Sequence, residues 1–248
     1  MTLRPSDISA SRVGALNAGE PAANLAESLS IDFAKLMSVA VPSMPRDAIA
    51  SMRDNAETGI TRRISLAAEL ISTHAPRELD RLASHPSDTV RGWACYAITR
   101  APALTLAQRL TLVRPFADDP HSGVREWAWM AVRDAVGAEI LSAIELLTPW
   151  TAAHSPNIRR FATEVTRPRG VWCSHIRSLR TDPTPALPLL EPLREDPTKY
   201  VQDSVSNWLN DAAKDNPAFV RELTTRWNSE SPCKATARIC RRAVRSID

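Results

Sequence analysis

Alternation of β-branched or aromatic residues with polar ones is missing from this chain, which argues against a sheet, sandwich or barrel. Glycine is scarce, with seven residues against nineteen prolines in 248, a balance that suits helices punctuated by proline turns. The four cysteines, Cys95, Cys173, Cys233 and Cys240, make no CxxC motif and no Cys/His ligand pair, so neither a metal nor another cofactor is expected. A basic-then-apolar leader is absent from the N-terminus, and no apolar run approaches the roughly 20 residues of a membrane helix. The expectation is a cytoplasmic, monomeric, all-α protein with no membrane association. What is present is a 44% hydrophobic composition, enough for a sizeable core. The net charge of +3 is too small to identify a nucleic-acid partner, so the distribution of charge must carry that question.

Self-comparison finds four related segments, anchored on Val90, Val124, Ile158 and Val201. Their spacings are 34, 34 and 43, so the third interval carries an insertion. Each unit reads as a proline-bearing turn, a helix start and an apolar stripe at i, i+3, i+4, i+7 and i+8, as in Val90, Trp93, Ala94, Ala97 and Ile98. Amphipathic segments from Leu104 to Phe116, Ala138 to Trp150 and Pro185 to Arg194 complete the pairs. The pattern resembles HEAT repeats, whose helix pairs stack into an α-α superhelix with a concave face. Upstream, Asn24 to Val41 reads as one helix, followed by Thr58 to His74 and Pro76 to His85. One domain is expected over residues 1–248, with N-terminal helices in 1–85, repeats in 86–230 and a basic C-terminal helix in 231–248.

Residues off the core stripe are the candidates for function. Pro168 disfavours helix at Arg167, and Gly170 frees the backbone further, so the third repeat helix should end there in a loop. Between His154 and Arg180 stand Arg159, Arg160, Arg167, Arg169, Arg177 and Arg180 against one acid, Glu164. Arg125, Trp129 and Arg133 recur at i, i+4 and i+8 on a face away from Val124, Trp127 and Ala128, which suits a groove for nucleic acid. Trp93, Trp127 and Trp208 occupy stripe positions and should pack in the core. Arg91, Arg125 and Arg159 are spaced by 34 and form a ladder. Two readings of it are open: tracking of a phosphate backbone, or pairing with an aspartate of the preceding unit.

Three segments carry a family resemblance: residues 24–36, Arg160-Phe-Ala-Thr-Glu-Val-Thr-Arg-Pro-Arg-Gly-Val-Trp172, and Val205-Ser-Asn-Trp-Leu-Asn-Asp-Ala-Ala-Lys-Asp-Asn-Pro217. Together they resemble the AlkC branch of the AlkC/AlkD alkylpurine DNA glycosylases over nearly the whole chain. The resemblance implies a concave DNA-binding groove and hydrolysis of the N-glycosidic bond of cationic N-alkylated bases, of the 3-methyladenine and 7-alkylguanine type, in duplex DNA. It makes Asp211 and Glu164 catalytic carboxylates, with Trp172 an aromatic near the lesion. It makes Arg167 and Arg169 phosphate or minor-groove contacts, beside which Arg125, Arg159 and Arg160 of the repeats and Arg238 and Arg241 of the basic last helix are expected as further DNA contacts. No cofactor or metal is implied, since a cationic base leaves readily and the protein need only stabilise the oxocarbenium sugar and position water. One departure is Trp129, which stands where the family carries a further glutamate and offers a π face in its place. The chain reads to Asp248 without the immunoglobulin-like domain of some AlkC proteins, so DNA gripping is expected from the helical array and its basic last helix.

Two rival readings remain at this stage. One is a DNA-binding member of the same fold without chemistry. The other is a protein–protein scaffold, the common use of HEAT-like arrays, which expects mixed charge and an apolar concave face.

Overall fold

The structure, a computed structural model, describes residues 3–247, so Asp248 at the end of the expected basic segment lies outside it. Among the described residues every regular element is helical, as the lack of strand alternation predicts. The chain divides into two compact units, Met1–Leu104 with Asp119–Ala131, and Thr105–Asp118 with Val132–Asp248. The first contains α1 (Ala10–Asn17), α2 (Leu25–Ser30), α3 (Phe33–Ala40), α4 (Arg46–Asp54), α5 (Ile60–His74), α6 (Leu79–Ala83) and α7 (Asp88–Thr99). The second contains α8 (Leu106–Ala117) and, after α9 (Ser122–Ala138), which contributes to both units, α10 (Ile140–Leu147), α11 (Pro156–Glu164), α12 (Arg177–Thr181), α13 (Leu187–Leu190), α14 (Lys199–Ala213), α15 (Pro217–Glu230) and α16 (Lys234–Ala243).

The repeat stripe packs as expected. In the first unit Val90, Trp93 and Ala94 are fully buried, and Phe33 meets Trp93 edge-on at 5.2 Å. In the second, α14 packs against α11 on one side and α16 on the other, and Trp208 is fully buried between them, its indole N–H donating to the Thr166 carbonyl at 3.1 Å. Thr163 and Ser204, also fully buried, share a 2.6 Å hydroxyl contact that ties α11 to α14.

Several boundaries differ from expectation for local reasons. Residues 24–41 form two helices rather than one, because the Asp32 side chain accepts from the Lys35 N–H and starts α3 afresh. Residues 185–194 form only the short α13 flanked by 3₁₀ turns, since Pro185, Pro188 and Pro192 each remove a backbone donor.

The arginine ladder is intramolecular. Arg91, Arg125, Arg159 and Gln202 are each the fourth residue of their helix, α7, α9, α11 and α14. Each folds back onto the turn that precedes that helix. Arg91 Nη1 donates to the carbonyls of His85 and Pro86 at 2.6 and 2.8 Å, and Arg125 Nη1 to those of Asp119 and Pro120 at 2.7 and 3.0 Å. Arg159 Nη1 reaches Ala153 and His154 at 2.9 and 2.8 Å, and Gln202 Nε2 reaches Asp196 at 2.7 Å. Turn carbonyls that no helix can satisfy thus gain donors. Arg91 and Arg159 also grip Asp119 and Asp196 with two bonds each, and these aspartates belong to the following unit, not the preceding one as expected.

Trp129 is also corrected. It is only 5% exposed, with its indole N–H on Glu126 Oε2 at 2.9 Å, and so offers no open π face. Residues 127–133 are all buried, Arg133 included, so this stretch of α9 has no solvent face on which an i, i+4, i+8 set could line a groove.

Gly92 tests the packing of the first unit, because a Cβ there would lie 2.8 Å from Cδ1 of buried Trp127. Gly92→Ala should gain about 1 kcal/mol of helix propensity and lose about 2–3 kcal/mol by overpacking, for a net loss read from denaturant unfolding. A stabilised variant would show that Trp127 moves aside at little cost.

Candidate functional site

The insertion after the third repeat begins where the sequence predicts. α11 ends at Glu164, and residues 165–176 run as turns and loop past Pro168. Arg133, from α9, holds this loop from beneath. Arg133 is 2% exposed, and its guanidinium donates to the carbonyls of Val165 and Arg167 at 2.6 Å each and of Ser174 at 3.2 Å. Burial pulls the pKa of this arginine down, against the Cys173 side chain, which lies beside it and opposes the shift. At Gly170 space rather than a left-handed backbone is the constraint: a Cβ would lie 2.1 Å from Cys173 Sγ, so a larger residue requires that side chain to turn away. At the tip, Val171 and Trp172 are each 54% exposed, and Trp172 has φ 60°, an αL conformation that costs an L-residue about 1–2 kcal/mol.

The two sequence motifs meet one another. Arg167 lies between Glu164 and Asp211, with Nη2 2.7 Å and Nε 2.9 Å from Asp211 Oδ2, and Nη1 3.2 Å from Glu164 Oε2. Two residues on, Arg169 reaches Asp215 through Nη2 at 2.7 Å and Nε at 3.1 Å. Asp211 lies in the last turn of α14 and Asp215 just past its end at Ala213, and the two arginines flanking Pro168 each meet one of them. Burial opposes the charge of Arg167, yet Glu164 and Asp211 together hold its pKa above the ordinary value.

Arg160 closes the other side. Its Nη2 is 2.9 Å from Glu164 Oε1, its Nη1 donates to the Tyr200 carbonyl at 2.9 Å, and its guanidinium lies 4.2 Å over the Tyr200 ring. The approach to Oε1 is within ion-pair range but off the hydrogen-bond direction, so this buried oxygen has no hydrogen-bond donor among the described residues. Among the described residues Asp211 Oδ1 has a single long contact, Lys214 Nζ at 3.5 Å. Glu164 and Asp211 are thus brought together by one guanidinium, with Asp211 the nearer to solvent: 7% of its side chain is exposed against 3%.

Arg238 donates to Asp203 Oδ1 at 2.6 Å and to Gln202 Oε1 at 3.3 Å, which docks α16 on α14, while Arg241 is exposed. Arg180 and Asp215 were not singled out as site residues by the sequence. Arg180 also binds Asp215, through Nε and Nη2 at 2.9 Å each, and the hydrogen bonds from Arg180 and Arg169 hold the Asp215 carboxyl well below the usual range. Its signal was the motif itself, in which Asp215 closes Asp-x-x-Lys-Asp. Two clefts lie elsewhere in the second unit. One of about 530 Å³ is bounded by Arg114, Asp118 and His154, and one of about 320 Å³ lies under the loop at Arg133, His175 and Arg177. Neither is lined by Glu164 or Asp211, so volume is a poorer guide here than the paired carboxylates.

No protein-family model matches the chain. Among solved structures, the Pseudomonas fluorescens alkylpurine DNA glycosylase AlkC, bound to DNA containing an abasic site analog, superposes over the whole chain with a TM-score of 0.66 at 20% identity. The chain has the fold of AlkC. It spans 65% of that protein's length. The smu.31 protein of Streptococcus mutans UA159 matches with a TM-score of 0.58 at 20% identity, over 82% of this chain and 92% of its own. Among curated proteins, the uncharacterized YhaZ of Bacillus subtilis (strain 168) is 40% identical over 83 residues, about a third of this chain and 23% of YhaZ. On this AlkC-type fold, the all-α repeat expectation stands and the chemistry rests on the residues themselves.

Arg133→Met should release the loop, because three carbonyls lose a donor that nothing nearby replaces. A stability loss of about 2–4 kcal/mol and faster chymotryptic cleavage after Trp172 are expected. Unchanged cleavage would show that the loop is held by other contacts.

Proposed function

We propose that this protein is a DNA glycosylase that hydrolyses the N-glycosidic bond of cationic N-alkylated bases in duplex DNA. The observation that carries the reading is the convergence of Glu164 and Asp211 on Arg167 beside the loop that displays Trp172. The DNA-bound state of AlkC and the shared fold support duplex DNA as the partner. Repeat folds also serve as scaffolds, so the site has to carry the chemistry.

In the proposed reaction the bond between C1′ and the base nitrogen breaks, and its electron pair leaves with the base and cancels the base's positive charge. The sugar becomes an oxocarbenium ion, and water adds to C1′ with loss of a proton to solvent. A fixed anion near C1′ lowers the barrier because the sugar's charge develops only in the transition state. Asp211 is assigned this role. Arg167 fixes its Oδ2, which leaves Oδ1 as the oxygen turned toward substrate, with Lys214 loosely beside it. Glu164 is more deeply buried and acts through Arg167, as a positioning residue. Trp172 is assigned to stack on the lesion or its sugar, where an indole face attracts developing positive charge. Arg169 and exposed Arg241 are assigned to phosphate, with Arg160 and Arg238, which touch α14 at Tyr200 and Asp203, beside them. Arg125 and Arg159 are left out of this contact set, because their donors already serve the turns. Trp129 is left out of the catalytic set because it is buried.

Asp211→Asn keeps the side-chain shape and removes the charge. Release of 3-methyladenine from methylated duplex should fall on the order of 10²- to 10³-fold, with duplex affinity little changed. Trp172→Ala should weaken lesion binding by about 1–3 kcal/mol. Full excision by Asp211→Asn, with Glu164→Gln or Trp172→Ala inactive, would move the catalytic role to those residues. No base release by the parent protein would leave a DNA binder without chemistry as the reading.

A further inference from the structure

The ion pairs around Asp215 form an arrangement that the catalytic reading does not use. One carboxylate accepts two bonds from each of two arginines that come from different segments: Arg169 from the clamped loop and Arg180 from α12. Both guanidinia present the same edge, Nε with Nη2, to Asp215. Their opposite ends point away from it. Arg169 Nη1 has no hydrogen-bond partner among the described residues, and Arg180 Nη1 has only His175 Nδ1, at 3.4 Å. The three side chains are 22–33% exposed.

Bringing two guanidinium groups together is unfavourable unless an anion sits between them. Asp215 supplies that anion just past the C-terminus of α14, where the helix dipole also favours cations. Two cations around one carboxylate still leave a positive charge, and Arg177 on α12 and Lys214 beside Asp215 are exposed additions to it. The backbones under both arginines are held. Arg133 clamps the loop that carries Arg169, and Asn216 Nδ2 donates to the Arg180 carbonyl at 2.6 Å. A phosphodiester oxygen meeting two preset planar forks loses less freedom than one that must collect two mobile arginines.

We propose that Asp215 is a positioning residue that gathers Arg169 and Arg180 into one phosphodiester-binding cradle, which seats the DNA backbone beside the Trp172 loop. The proposal rests on duplex DNA being the partner. It makes Arg180 a DNA contact equal to Arg169 and gives a carboxylate on the DNA-facing surface a role in binding.

The sign of one substitution separates this from simple electrostatics. Removing an anion from a DNA-binding surface should tighten binding, because the anion repels phosphate. If Asp215 instead holds the cradle, Asp215→Asn lets the two arginines separate, and affinity falls. The experiment measures anisotropy of a fluorescent undamaged duplex across a salt series for the parent, Asp215→Asn, Arg180→Ala and the double variant, with melting temperatures alongside. Asp215→Asn is expected to weaken binding on the order of threefold to tenfold, and Arg180→Ala to do so while flattening the slope of log affinity against log salt by about 1. The double variant should lose less than the product of the two single effects, since both changes remove the Arg180 contact while only Asp215→Asn also releases Arg169. Asp215→Asn binding as tightly as the parent, or more tightly, overturns the cradle while leaving duplex binding intact. If Asp215→Asn fails to fold, Arg180→Ala decides, and an unchanged salt slope there overturns the proposal. Absence of duplex binding by the folded parent overturns both this inference and the reading beneath it.

Discussion

The site depends on Arg167, which stands between two carboxylates that would otherwise repel. Glu164 on α11 and Asp211 on α14 are both almost fully buried, and two anions in such a place are costly without a shared cation. One guanidinium, itself largely buried, answers both and joins the two helices in the same act. The placement of the two carboxylates and the packing of α11 on α14 therefore share this contact. Arg167 keeps its place because the chain turns at Pro168 and because Arg133 holds the Arg167 carbonyl. An arginine expected to meet phosphate is in this way turned inward to orient the carboxylates.

The repeat rests on a second economy of donors. A solenoid unit needs a tight turn before each helix, and a tight turn leaves carbonyls that no helix satisfies. The side chain at the fourth helical position solves this in all four units, as arginine three times and as glutamine once. Where the next turn carries an aspartate, as at Asp119 and Asp196, the same arginine also binds that turn. Asp119 and Asp196 in addition accept from the N–H two residues on, at His121 and Thr198, so each turn is closed from within and from outside. The recurrence at 34 residues has a structural origin, and its charge has no need of an external partner.

Much of this was legible in the sequence. The all-α class, the repeat spacing, the burial of Trp93, Trp127 and Trp208 and the end of α11 before Pro168 follow from periodicity and proline chemistry alone. The motif residues Glu164, Arg167, Asp211 and Asp215 were visible as two separate strings. Their pairing was not, because it joins positions 44 and 46 residues apart and depends on how α14 lies against α11. Trp129 was misread because a stripe argument assumes an open far face, whereas α9 is enclosed on all sides from 127 to 133. Gly170 was read as backbone freedom, but its smallness matters through Cys173 Sγ, a contact no local pattern reveals.

The same distance effect governs the arginine cluster that first suggested nucleic acid. Along the chain, six arginines between His154 and Arg180 meet only Glu164. In space, Asp196, Asp211 and Asp215 come to them from the segment after the insertion, and five of the six arginines make an ion pair. Local charge density is therefore no measure of available charge. What separates these pairs is geometry. Arg159 and Arg167 put their donors into buried partners, whereas Arg169 and Arg180 turn one edge to Asp215 and keep the other outward. A guanidinium can serve a carboxylate and a phosphate at once because its five N–H groups lie on separate edges of one plane. Lysine presents its three N–H groups from one point charge, whereas Arg169 and Arg180 each keep an Nη1 end apart from the edge that Asp215 occupies.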